Sequence, residues 1–208
     1  MLGGTITDYE FTKKLIADDD FIVCADGGIL HLYNMGLSPN VWIGDKDSCV
    51  LSDEKFNAIT KNSNIILLNP IKDSTDGEEC CDYVCEHNFD EAIIFGYFGT
   101  RLDHVMCNVF MLKKFADKCI KAKAINEHNE VFFADKHNEI NENRYKYVSI
   151  LPLSQELKGV TTNGLYYCLN NGTLSRYSSM GISNEMILEK CVIDIKQGDA
   201  LIILSKDW

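Results

Sequence analysis

Hydrophobic periodicity changes character near residue 127 of this sequence. Ahead of about Asn126, short apolar runs rich in Val, Ile and Phe alternate with stretches of helical period, the pattern of βα units around a parallel sheet. The runs Phe21–Ala25, Val41–Ile43, Ile65–Leu68 and Ala92–Phe95 predict strands. Helices are expected at about Tyr9–Ala17, Ile29–Met35, Asp53–Lys61 and Asp76–His87. The clearest helix is Leu102–Phe115, where Leu102, Val105, Met106, Val109 and Phe110 recur at helical spacing as one core-facing stripe. Met1–Gly4 reads as the tail of a strand entering a glycine turn.

Beyond about Glu127 helical period fades. Val131–Ala134, Tyr145–Leu151, Leu165–Leu169, Thr173–Tyr177, Met186–Ile195 and Ala200–Leu204 read as strands separated by polar or Gly-containing turns. Asn170, Asn171 and Gly172 accept the positive φ angles of a hairpin turn. The expected organisation is an α/β N-terminal domain with a mainly parallel sheet over residues 1–127, followed by an all-β C-terminal sandwich over residues 128–208.

A formal net charge of −11 argues against a nucleic-acid or anionic-membrane partner, since both need a basic footprint. No apolar run reaches the roughly 20 residues of a membrane span, and no basic-then-apolar leader opens the chain, so a cytoplasmic protein is expected. The 9 cysteines are scattered without a CxxC pair, and reduced thiols are expected. Cys81, Cys85 and His87 could form part of a metal site, but without a second ligand pair a buried helix face is the better reading.

The acidic residues are informative by position. Asp26 follows the first strand, Asp45 and Asp47 the second, Asp73 and Asp76 the third, and Asp103 the fourth through a Gly-containing loop. A parallel sheet delivers the loops after its strands to one edge, where open α/β folds bind ligands, so these carboxylates should converge. Convergent carboxylates repel unless a cation neutralises them, and Mg²⁺, which shares its coordination with substrate phosphates, suits such a cluster. Lys72 and Arg101 stand beside them for phosphate oxygens. Gly27 and Gly28, and Gly96 and Gly99, permit close backbone approach to a ligand. Against this, Asp53 or Asp76 could be a helix N-cap, and Asp103 with His104 could decorate a helix's first turn. Neither GxxxxGK[ST] nor GxGxxG occurs, so phosphate would be held on another scaffold.

Five motifs carry a resemblance: Ala25-Asp26-Gly27-Gly28 with His31-Leu32-Tyr33, Ile43-Gly44-Asp45-Lys46-Asp47-Ser48, Lys72-Asp73-Ser74-Thr75-Asp76, Arg101-Leu102-Asp103-His104 with Asn108, and Ser183-Asn184-Glu185. In this order they resemble the thiamin pyrophosphokinase (thiamin diphosphokinase) family, as does the passage from an α/β to an all-β half. Thr100 replaces a glycine usual before the arginine, the first strand looks short, and the aromatic of a Gly-Leu-Lys-aromatic motif corresponds to Tyr167.

The resemblance implies transfer of the pyrophosphoryl group of ATP to the hydroxyl of thiamin, giving thiamin diphosphate and AMP. It implies that Asp45, Asp47, Asp73 and Asp76 hold a Mg²⁺–triphosphate unit and that Arg101 and Lys72 meet phosphate. Asp26, Gly27, Gly28 and Asn108 would line the nucleotide, and Asp103 would orient or deprotonate thiamin. It further implies a homodimer with thiamin at the subunit interface, where Ser183 and Asn184 contact it and Tyr167 stacks on the cationic heterocycle. For Tyr167 a strand residue packed in the sandwich is an equal alternative. Two other readings stay open: a haloacid-dehalogenase-type phosphatase using the aspartates after Val41–Ile43, and a non-catalytic sensor of thiamin or nucleotide.

Overall fold

The computed structural model describes residues 1–141 and 144–207. The chain divides into two compact units, Met1–Glu127 and His128–Trp208.

In the first unit, strands β1 (Val23–Ala25), β2 (Val41–Gly44) and β3 (Asn64–Leu67) form a parallel sheet in that order, and β4 (Glu91–Ile94) pairs in parallel with β5 (Lys121–Ile125). Met1–Gly4 ties β1 to the end of β4. Met1 N donates to Val23 O (2.7 Å) and Ala25 N to Met1 O (2.9 Å), while Leu2 N donates to Phe95 O and Gly4 N to Gly96 O, each 2.9 Å. The expected strand tail therefore exists as a short ladder between two strands.

The helices are α1 (Tyr9–Lys14), α2 (Ile29–Met35), α3 (Asp53–Ile59), α4 (Asp76–Glu86) and α5 (Leu102–Asp117). The caps of α3 and α4 are Ser52 and Thr75, whose side chains accept from Lys55 N and Glu78 N, so Asp53 and Asp76 are first-turn acids rather than caps. Alternation sorts the strand residues between two cores. Cys24 and Trp42 pack with Ile29, Leu32 and Phe56 on one face, and Ala25, Val41 and Ile43 pack with Leu2 and Cys80 on the other. Trp42 is fully buried, edge-on to Phe56 at 5.1 Å, and burying a side chain of that size contributes about 3 kcal/mol.

The stripe expected on α5 is corrected. Val105, Met111, Leu112 and Phe115 are buried, whereas Leu102, Met106 and Phe110 are exposed. Apolar residues on this helix occupy more than one face, and periodicity alone does not say which face the sheet covers.

In the second unit, β6 (Asn129–Phe133), β7 (His137–Asn141), β8 (Tyr147–Pro152), β9 (Glu156–Asn163), β10 (Gly172–Ser175), β11 (Asn184–Glu185), β12 (Lys190–Asp194) and β13 (Ala200–Ser205) pair antiparallel. One set runs β10-β9-β12-β7 and another β11-β8-β13-β6. A single apolar cluster draws on both, with Leu157, Leu174 and Ile193 from the first and Ile150, Ala200 and Ile202 from the second.

The expected strand Leu165–Leu169 is not one, since only Leu165 forms a bridge, to Met186. The expected strand Met186–Ile195 narrows to Lys190–Asp194. Asn171 does take a positive φ of 52°, but it ends a loop from β9 rather than a tight hairpin after a strand at 165–169. The strand on the other side of that loop, β9, escapes the sequence pattern because Gly159, at φ 66°, shifts the register. Its buried positions Leu157, Val160 and Thr162 are then spaced by three and by two.

Candidate functional site

The site grows from the end of β1. Asp26 closes that strand at φ 20° and opens a single turn of 3-10 helix, Asp26–Gly28, leading into α2. Its carbonyl accepts from Trp42 Nε1 at 3.1 Å, fixing it against β2. Its carboxylate, 2% exposed, accepts from Lys46 N at Oδ1 (3.0 Å) and from Ser48 N at Oδ2 (2.8 Å). Asp26 therefore pins the backbone of the loop after β2. Gly44 makes this possible, because a Cβ there would lie 2.8 Å from Asp26 Oδ1. Burial pushes the Asp26 carboxyl up and the two backbone donors oppose this, while the charges of Asp76 and Asp47 push it further up.

Held this way, the loop presents Asp45 and Asp47. Asp47 N donates to Asp45 Oδ1 at 3.1 Å and Ser48 Oγ to Asp47 Oδ1 at 2.8 Å. The Asp47 N–H and then the Lys72 ammonium hold the Asp45 carboxyl below its usual range. Oxygens of Asp26, Asp45 and Asp47 all lie within 4.8 Å of one another. Lys72 reaches in from the loop after β3, 3.5 Å from Asp45 Oδ2 and 3.0 Å from Asp76 Oδ1. Partial burial works to lower the Lys72 pKa, but Asp76 and Asp45 together hold it above its usual value. Among the described residues, Asp76 Oδ1 is shut off from solvent and lacks a well-aligned donor, the Lys72 ammonium lying 3.0 Å from it.

This donor set fits a hard divalent cation. All the donors are carboxylate oxygens, and two of the three bearing residues, Asp45 and Asp47, are not fully buried. Asp26 has lone pairs left after accepting its two backbone bonds.

The other expected site residues of the first unit are found in different states. Asp73 is exposed and, among the described residues, is not in the group of close carboxylates. Arg101 and Asp103 form a two-pronged ion pair at the start of α5, with Nη2 to Oδ2 at 2.5 Å and Nε to Oδ1 at 3.2 Å, both side chains exposed. That pairing draws Asp103 below its usual range and raises Arg101. Asn108 Nδ2 donates to Tyr97 O at 3.1 Å. Gly27 and Gly28 face protein, since a Cβ at Gly28 would meet Met1 O at 2.6 Å and one at Gly27 would meet Ser48 O at 3.2 Å. Sequence reading placed Asp26 beside the nucleotide and did not see it as the pin of the Asp45–Ser48 loop. The available signal was Gly44, a glycine inside an otherwise large-residue buried strand.

The cysteine pattern is structural. Cys81 is buried and its thiol is pushed up by burial, while His87 stacks on Tyr83 with its Nδ1 at 2.7 Å from Tyr83 O.

In the second unit, Tyr167, Ser183 and Asn184 come together locally. The Asn184 side chain is 8% exposed. Its Oδ1 accepts from Tyr167 N (3.0 Å) and its Nδ2 donates to Tyr167 O (2.8 Å), so it grips the Tyr167 backbone at both ends. Ser183 sits at φ 56° with its N–H on Ser149 Oγ at 2.9 Å. Tyr166 and Tyr167 stand out edge-to-face at 4.8 Å, 66% and 70% exposed. The grip of Asn184 explains why Leu165–Leu169 is not a strand.

The chain is similar to known proteins along both of its units. Residues 12–124 match the family model "Thiamin pyrophosphokinase, catalytic domain", and residues 137–202 match "Thiamin pyrophosphokinase, vitamin B1 binding domain". The chain is 30% identical over 185 residues to thiamine pyrophosphokinase of Bacillus subtilis, covering 88% of this chain and 86% of that protein. A crystal structure of the Bacillus subtilis enzyme superposes with a TM-score of 0.88 at 26% identity, over 100% of this chain and 97% of that one. The Geobacillus thermodenitrificans enzyme gives 0.85 at 29% identity, over 99% and 95%. By these matches along both of its units, the chain belongs to the thiamin pyrophosphokinase family of enzymes.

Proposed function

We propose that this chain transfers the pyrophosphoryl group of ATP to the hydroxyl of thiamin, with Mg²⁺, producing thiamin diphosphate and AMP. The observation that carries the reading is the corner at the ends of β1 and β2, where Asp45 and Asp47 stand on a loop fixed by buried Asp26 and Lys72 lies between Asp45 and Asp76.

The thiamin oxygen bonds to the β-phosphorus, the bond from that phosphorus to the α–β bridging oxygen breaks, and AMP leaves with the electron pair. When bound, Mg²⁺ supplies charge neutralisation at the phosphate oxygens. Asp45 and Asp47 would hold it, with Asp73 and Asp76 completing the acidic set around the triphosphate. Lys72, restrained between carboxylates, is placed to exchange one of them for a phosphate oxygen. Arg101 offers a planar fork to phosphate if it releases Asp103, and that release frees Asp103 to orient or deprotonate the thiamin hydroxyl. Asp26 keeps the Asp45–Ser48 loop in position, and Gly27, Gly28 and Asn108 are assigned to the nucleotide. In the second unit, read as a sandwich, Tyr167 offers its ring to the cationic heterocycle and Ser183 its hydroxyl, on backbone that Asn184 holds. The enzyme is read as a cytoplasmic homodimer; separately, among the described residues no helix is long and apolar enough to cross a membrane.

Incubation with ATP, Mg²⁺ and thiamin tests this. AMP and thiamin diphosphate in equal amounts are expected. Inorganic phosphate released from a phosphomonoester, or ligand binding without turnover, would replace this reading with a phosphatase or a sensor.

A further inference from the structure

Between the end of β3 at Leu67 and the α4 cap Thr75 runs the stretch that carries Lys72 and Asp73. Its backbone is sparsely anchored. Leu68 N donates to Gly44 O at 2.9 Å, and beyond it Ile71 N meets the nearby Asn69 Oδ1, also at 2.9 Å. Ile71 is 90% exposed, and Asp73 is exposed as well. Among the described residues, two side chains tie residues 69–74 to the rest of the unit by hydrogen bond or ion pair. Lys72 does so through Asp45 and Asp76, and Ser74 through its hydroxyl, which donates to Glu79 Oε1.

The two ties differ in permanence. In the reaction proposed above Lys72 exchanges a carboxylate for a phosphate oxygen, so its pairs loosen at the moment the loop must stay in place. The bond from Ser74 to Glu79 involves none of the groups assigned to phosphate or metal. The start of α4 turns Glu79 to this position. Thr75 Oγ1 accepts from Glu78 N at 3.1 Å and Thr75 O from Glu79 N at 3.0 Å, which orders the first turn. Glu78, three residues after the cap, is the acid that a capping box would turn back onto the cap. It lies instead 3.7 Å from Lys114 of α5. Glu79, one residue on, reaches back past the cap to Ser74 and is half-buried. A hydroxyl donating to a carboxylate makes one of the stronger hydrogen bonds, and partial burial limits its replacement by water.

We infer that Glu79 is a positioning residue for the proposed reaction: by holding Ser74 it keeps the Lys72–Ser74 segment in place while Lys72 passes from carboxylate to phosphate. The inference rests on that reaction, and in this role Glu79 touches neither substrate nor metal.

The test compares Glu79→Ala, Ser74→Ala, the double variant and Glu79→Gln in the whole chain. Without ligand, trypsin cleavage after Lys72, followed by fragment mass, should be ~10-fold faster in the three alanine variants than in the wild type. With ATP, Mg²⁺ and thiamin, their kcat/KM for ATP should fall ~10-fold while KM for thiamin stays within about 2-fold. The two single losses should not add, because both remove the same bond. Glu79→Gln keeps an acceptor oxygen and should recover to within about 3-fold of the wild type in both measurements. Additive losses, a glutamine variant as impaired as the alanine one, or cleavage unchanged in all four would overturn the inference. So would faster cleavage with undiminished kcat/KM, which would leave the bond a local tie without a part in the reaction. A wild type that transfers no pyrophosphoryl group would remove the proposed reaction and with it the role of Glu79. The cleavage comparison, made without ligand, separates that failure from failure of the bond itself.

Discussion

Two loops, one in each unit, are held by the same kind of device and differ in its charge. In the first unit Asp26 grips the Asp45–Ser48 loop through Lys46 N and Ser48 N. In the second, Asn184 grips Tyr167 through its N–H and its C=O. A carboxylate can only accept, so Asp26 organises two donors and leaves negative charge beside Asp45 and Asp47. A carboxamide both accepts and donates, so Asn184 meets the N–H and C=O of Tyr167 and the N–H of Glu185 without adding charge, which suits a loop that displays aromatic rings. The comparison teaches that a buried polar clamp is chosen for the field it adds as well as for the bonds it makes.

The largest expected effect separates chemistry from binding. Asp45→Asn should lower the rate of pyrophosphoryl transfer by ~100-fold or more while leaving thermal unfolding nearly unchanged, whereas Tyr167→Ala should raise KM for thiamin with kcat little altered. Steady-state kinetics on both variants would break the comparison if the two sets of constants moved alike. Next comes the charged clamp itself. Asp26→Asn keeps shape but turns a donor toward one of the two backbone N–H groups, at a cost of about 1–3 kcal/mol measured by denaturant unfolding. It should reduce turnover as the Asp45–Ser48 loop loosens.

Smaller still is Asn184→Ala, at about 1 kcal/mol, because the freed Tyr167 backbone lies where water can reach it. Its mark should be a higher KM for thiamin, and a fall in kcat alone would argue against the role given to Tyr167.

A neutral but titratable clamp offers the finest test. His31 accepts or donates at 2.9 Å with Tyr9 Oη and at 2.7 Å with Gly4 O, and since a carbonyl only accepts, Nε2 carries the proton and Nδ1 accepts from Tyr9. Burial holds His31 below its ordinary 6.5, the Gly4 bond opposing. A depressed folded value means that the unfolded chain takes up the proton first. The contribution of His31 is thus present above pH 6.5 and lost as pH falls through the lowered value. Unfolding midpoints measured from pH 7.5 down to 5.5 should fall more steeply for the wild type than for His31→Gln, and equal slopes would remove His31 from the account.

How far such arrangements could be read beforehand depended on whether the signal was local. The βα alternation was visible because each strand and helix carries its own period, and the aspartates were conspicuous because they follow those strands. The grip of Asp26 on residues about twenty positions away was not visible, nor was the hold of Asn184 on Tyr167, since each joins loops that only folding brings together. Leu165–Leu169 has the composition of a strand yet is diverted by that hold. Leu102, Met106 and Phe110 share helical spacing with core residues yet face outward.

By itself the sequence determined the βα alternation of β1 to β4 with their helices, the acidic residues available at strand ends and the family motifs, all of which follow from local periodicity and residue type. Tertiary structure alone decided which carboxylate, Asp26, is buried as a pin and which, Asp45 and Asp47, stay more open on the loop it holds. It also decided which face of α5 is covered and where Met1–Gly4 joins two strand edges. The physical reason is that desolvation and backbone pairing depend on neighbours distant in the chain, and no single stretch of residues encodes them.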